Sequence, residues 1–171
     1  MALVVGTDSY ISQADATAYV TANYASSTPQ KIAWTALSSD DKDAWLRRAR
    51  QAIDQMILVG IKAYQTQTLA FPRAILATSY NYPPTGYVWR GADYIVQTAV
   101  PTEVTQAQVE EALALAVGVP KRLQLRRQGV RSYRLGNLSE SYSGGAGLTG
   151  LVSDAAYQLL RPFLAGGVPI C

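Results

Sequence analysis

Histidine is absent from all 171 residues. That removes the usual general base, the Ser-His-Asp arrangement and imidazole ligation of a metal. The single cysteine, Cys171, has no partner for a disulfide within the chain and makes no zinc site alone. No apolar run approaches the roughly 18 to 20 residues that cross a bilayer. The opening MALVVGTDSY has no basic start and only a short apolar stretch, which argues against a signal peptide. Glycine-rich phosphate loops of the G-x-x-x-x-G-K type are missing. The run GAGLTG places Gly145, Gly147 and Gly150 as G-x-G-x-x-G, but no second strand with an acidic residue follows, so it reads as a flexible linker. Glu110 and Glu111 are adjacent, so on a helix they point about 100° apart; they form no dyad and read as a solvated face. These absences together lead to the expectation of a non-enzymatic, cofactor-free and metal-free protein of the cytosol.

What is present describes a folded domain. Apolar residues make up 49% and charged residues 16%, in a chain long enough for one sizeable core. The net charge of +3 is unevenly placed. Lys121, Arg122, Arg126, Arg127, Arg131 and Arg134 fall close together, and no acid stands between Glu111 and Glu140. Such a run suits a polyanion or an acidic protein surface; the alternative is a solvated helix face.

Helix signals recur along the chain. Ser12 followed by Asp15 reads as a capping box opening a helix over about 12–24, ended by Pro29. Ser38 or Ser39 caps a second, with Asp40, Asp41 and Asp43 in its first turn, where the dipole favours negative charge. Trp45, Ala49, Ile53 and Met56 give it an apolar stripe, with KIAW upstream as a short turn laying Trp34 against it. Pro101 opens a third helix whose Val109, Ala112, Leu113, Ala116 and Val117 form a buried face, stopped by Gly118 and Pro120. Ser153 caps a last one carrying Ala156, Leu159, Leu160 and Phe163.

Between the second and third helices stands TLAFPRAIL. Proline disfavours helix in the residue before it, so Phe71 should be extended. An aromatic-rich segment from Ala74 to Val100 follows, holding Tyr80, Tyr82, Tyr87, Trp89 and Tyr94. YVW and YIV around RGAD predict a hairpin, and exposed aromatics there suit an interaction surface. Gly136-Asn137 predicts a second hairpin. The expected architecture is mainly α: a small helical bundle with one or two β-hairpins and an extended C-terminal arm. The division is 1–143 for the helical domain and 144–171 for the glycine linker and terminal helix.

The order GTDSYISQADATAYV, KDAWLRRARQAID, QTLAFPR, VPTEVTQAQVEEALALA resembles the head–tail connector (adaptor, or head-completion) proteins of long-tailed bacteriophages, over roughly Val4 to Leu164. Related sequences are often labelled as a DnaT-like single-stranded DNA-binding domain. The family pattern has tryptophan before Pro-Arg, where this chain has Phe71. The connector resemblance implies a structural virion protein at the neck, assembled in the host cytoplasm as a ring, normally of twelve subunits, under the portal. It would extend the channel for double-stranded DNA, contacted without sequence preference, and dock the tail or a stopper protein. On that reading Phe71 and Pro72 anchor the chain between helices, and Arg73 meets solvent or a neighbouring subunit. The basic residues from Lys121 to Arg134 face DNA or protein. Leu159, Leu160, Arg161, Phe163 and Leu164 form an arm that grips the portal. The other label implies a single-stranded DNA-binding module acting in phage replication.

Overall fold

The computed structural model describes residues 2–76, 86–90, 94–120, 132–135, 138–141 and 150–165. In chain order the described elements are α1 (Gln13–Asn23), α2 (Pro29–Ala36), α3 (Ser39–Asp54), β1 (Ile61–Lys62), β2 (Arg73–Leu76), β3 (Tyr87–Arg90), β4 (Tyr94–Gln97), α4 (Thr102–Val117), β5 (Ser132–Leu135), β6 (Leu138–Ser141) and α5 (Asp154–Leu160). A 3-10 turn, Arg161–Phe163, continues α5. The fold is therefore mixed α/β rather than mainly α. The four strands β1 to β4 form one antiparallel sheet in the order β1-β2-β4-β3, and β5 pairs with β6 in a separate hairpin. None of the helices among the described residues is long and apolar enough to cross a membrane.

Local chemistry sets the helix starts. Ser12, Thr28, Ser38 and Ser153 each accept a backbone N–H of the first turn through the side-chain oxygen, satisfying donors the helix itself cannot. Ser12 and Ser38 also donate to the carboxylates of Asp15 and Asp41, at 2.6 and 2.7 Å. Pro29 does not merely end α1; it occupies the first turn of α2, where its missing N–H costs nothing. At the other end of α4, Gly118 takes φ 105°, a conformation that strains other residues.

The helices assemble around α4, whose residues 107–113 are all buried. Trp34, Leu46, Ala49, Val109, Ala112 and Leu113 make one apolar cluster with Ala16 and Val20 of α1. Leu46, fully buried, leads the stripe of α3, whereas Trp45 is half-buried at its margin with Arg48 over its ring. A second cluster joins Tyr10, Ile53, Leu69, Phe71, Val104, Ala107 and Leu160. Phe71, 1% exposed, meets Tyr10 and Phe163 edge-on, at centroid distances of 6.0 and 5.4 Å. The Phe71–Pro72 peptide is cis.

Three polar side chains of α4 lie inside this packing. Gln108 accepts from the Tyr10 backbone N–H at 2.9 Å and donates to Ser9 Oγ and the Leu46 carbonyl at 2.7 and 2.8 Å. Glu111, 1% exposed, receives the backbone N–H groups of Val152 and Ser153 at 2.8–2.9 Å, just where α5 begins. Glu110 receives the hydroxyls of Tyr19 and Tyr24 at 2.8 and 2.5 Å. The two glutamates are thus not a solvated face. They are buried because backbone and phenol donors from other elements satisfy them.

The terminal helix also departs from expectation. Ala156 and Leu160 are fully buried in the chain's own core, with Leu159 and Phe163 packed against it. The backbone of Ile57–Val59 bonds to Phe163 and Ala165, and Leu58 pairs with Leu164. Of Leu159, Leu160, Arg161, Phe163 and Leu164, the residues expected to grip a partner, Arg161 alone is exposed. The apolar residues read as an arm complete the core because Glu111 holds the start of α5 against α4.

Two outcomes follow from this packing. Leu160→Ala lowers unfolding free energy by about 2–5 kcal/mol in urea denaturation; an unshifted midpoint would show that α5 is not core. Burial, then hydrogen bonding to Glu110, pushes the Tyr19 hydroxyl up to about 12 and raises Tyr24 further; burial and Asp54 likewise raise Tyr10. Because the folded values lie above the ordinary 10.0, this stability is complete below that pH and is lost as pH rises through about 12. Melting temperature should fall over that window, and less steeply in a Tyr19→Phe, Tyr24→Phe variant. A variant with an unchanged slope contradicts the assignment.

Candidate nucleic-acid interface

The sheet hangs on Arg73, which was expected at the surface and is instead buried. Its guanidinium donates to the carbonyls of Val59 at 2.5 Å, Ala70 at 3.2 Å, Leu58 at 3.3 Å and Gly60. Burial lowers its pKa from the ordinary arginine value. Gln97 accepts from the Arg73 backbone N–H at 2.9 Å and donates to the Tyr87 hydroxyl at 2.9 Å, tying β2, β4 and β3 together. Gly60, at φ 75°, brings the β1 end so close to the Ala74 carbonyl that a Cβ would collide with it.

Strand alternation then sorts the side chains. One face carries Arg73, Ile75, Ile95, Gln97, Tyr87 and Trp89. The other places Leu76, Tyr94 and Arg90 in one row across β2, β4 and β3, and Ile61, Ala74, Val96 and Val88 in a second row across all four strands. Ala63 packs on Ala74 and Val96 and closes the middle of that face. Around it Ile61, Leu76, Val88 and Tyr94 remain exposed, as does Tyr64. The Arg90 guanidinium stands 5.7 Å from the Tyr64 ring centroid and donates to the Ala63 carbonyl. Lys62, paired with Arg73, belongs to the other face, and its ammonium donates to the Gln67 and Thr68 carbonyls at 3.2 and 3.0 Å. None of the four strands contains an acid.

This outer face combines two exposed phenol rings and an arginine fixed over one of them. Tyrosine rings stack on bases of any identity, and guanidinium pairs with phosphate. The arrangement fits sequence-independent contact with a single strand. Among the described residues no group of three acidic or cysteine side chains is placed to hold a metal ion.

Of the residues singled out from sequence, Lys121, Arg122, Arg126, Arg127 and Arg131 lie outside the described residues, as do Tyr80 and Tyr82. Arg134 lies on β5, opposite Ser139 of β6. Leu159, Leu160, Phe163 and Leu164 gather at the helical core with Phe71, and Pro72 is half-buried between Phe71 and β2. They share nothing with the outer sheet face. The predicted hairpin is β3–β4, with Arg90 opposite Tyr94. Sequence reading missed Tyr64 and Arg90; the signal available was basic residues interleaved with aromatics in one acid-poor stretch.

A small α/β domain with an aromatic and basic sheet face is the class that the geometry defines. Over residues 2–170 the sequence matches the family described as "Putative DnaT-like ssDNA binding protein". The chain belongs to that family. No curated protein and no solved structure matches it.

Proposed function

We propose that this protein binds single-stranded DNA, as its family's description suggests, and that it does so without sequence preference and without catalysis. The observation that carries the proposal is the outer sheet face, where Tyr64 and Tyr94 lie exposed beside Arg90. The basic run from Lys121 to Arg134 supplies further phosphate contacts. Affinity then depends on salt, because each neutralised phosphate releases counterions.

A second reading is the head–tail connector, a ring at the neck that contacts portal, tail or stopper and the passing duplex. The order of motifs supports it, and so do Ile61, Leu76 and Val88. These aliphatic side chains are 58%, 49% and 49% exposed and suit a subunit contact better than base stacking.

Fluorescence anisotropy separates the two. Labelled oligothymidine should bind, more weakly as salt rises, and a mixed-sequence strand should bind equally. Tyr94→Ala should weaken it by about 1–3 kcal/mol, one stacked base. Arg126→Glu with Arg127→Glu should weaken every sequence alike. No binding at low salt overturns the single-strand reading. The protein in stoichiometric amount in purified virion heads, found by mass spectrometry, would establish the connector in its place.

A further inference from the structure

Away from the sheet, a cleft of about 280 Å³ opens between α1, α2, α4 and the start of α5. Its walls are mostly apolar, formed by Leu113, Ala114, Val117, Pro120 and Val152. Glu110 lines it and is 8% exposed. An ionised carboxylate offers about four lone-pair positions. The hydroxyls of Tyr19 and Tyr24 donate into two of them. No lysine or arginine among the described residues pairs with it. A carboxylate so far withdrawn from water ordinarily has a cation beside it. Here the tyrosines orient the group, and among the described residues no cation balances its charge at the edge of this mostly apolar cleft.

We infer that this cleft is a binding site for an arginine or lysine side chain presented by a partner protein. The match is chemical. A guanidinium or ammonium reaches Glu110, and the aliphatic stem lies along Leu113, Ala114 and Val117, as long basic side chains do on apolar surfaces. The volume suits one side chain and is small for a larger ligand. The cleft is lined by none of the outer-face residues, so the inference stands whether or not the protein binds DNA.

The test uses the whole chain, followed by amide NMR. Butylguanidinium should shift residues 110–118 and Tyr24 in a saturable way, while isosteric, uncharged butylurea should bind at least about tenfold more weakly. Glu110→Gln, which keeps a tyrosine-accepting oxygen, should lose the same factor. Ala114→Leu, which fills the space and leaves the carboxylate, should also abolish the shifts. A capped Ala-Arg-Ala tripeptide should shift the same amides. Equal binding of butylurea, or an undiminished titration in folded Glu110→Gln, overturns the charge recognition. Butylguanidinium binding without tripeptide binding overturns the assignment to a protein side chain. If Glu110→Gln does not fold, the butylurea comparison and Ala114→Leu decide alone.

Discussion

The arrangement rests on three polar side chains of one buried helix. Gln108, Glu110 and Glu111 point from α4 in different directions, and each is satisfied by a different part of the chain. Gln108 fixes the segment before α1 and a carbonyl of α3; Glu110 gathers the phenols of Tyr19 and Tyr24; Glu111 holds the start of α5. Removing one partner of such a bond strands a buried polar group, at a cost of about 1–3 kcal/mol and more for a charge. The apolar clusters supply driving force, but they do not choose between similar packings. Directional bonds from the buried face of α4 do.

That constraint also decides what stays outside. With α1, α3 and α5 gathered on α4, the sheet joins the body through the segment around Phe71 and through Arg73. Phe71 enters the core beneath Tyr10 and Phe163. Tyr10 donates to Asp54, which also pairs with Arg50 at 3.1 Å, and its hydroxyl receives the Ala70 N–H at 3.0 Å. Two residues later, Arg73 gathers carbonyls from 58–60. The chain is thus pinned on both sides of Pro72. The row Leu76, Tyr94 and Arg90 lies exposed on the face opposite Arg73, the surface proposed for a single strand.

Much of the helical skeleton could be read from sequence because its signals are local. Ser12, Ser38 and Ser153 sit three residues from the groups they cap, and YVW and YIV stand close together in the chain. The sheet's remainder and the interior were harder. Glu110 and Glu111 look like surface residues until donors from residues 19, 24, 152 and 153 arrive, and nothing near them announces those partners. Arg73 follows the same logic, since its acceptors are carbonyls that any sequence possesses. The terminal helix carries an apolar face that would suit either a groove elsewhere or its own core, and only the seat beside Glu111 distinguishes them. For the proposed DNA surface, the aromatic hairpin was visible, but Tyr64 reaches it just after β1, a two-residue strand too short to leave a periodic pattern.

The central claim is that the outer sheet face is where a single strand lies. Photocrosslinking to oligonucleotides carrying 5-bromodeoxyuridine, with the adducts mapped by mass spectrometry, addresses it directly. The account predicts adducts at Tyr64 and Tyr94, lost from the second site in Tyr94→Ala. Adducts confined to the helices around α4, with both tyrosines unmodified at saturating DNA, would contradict it.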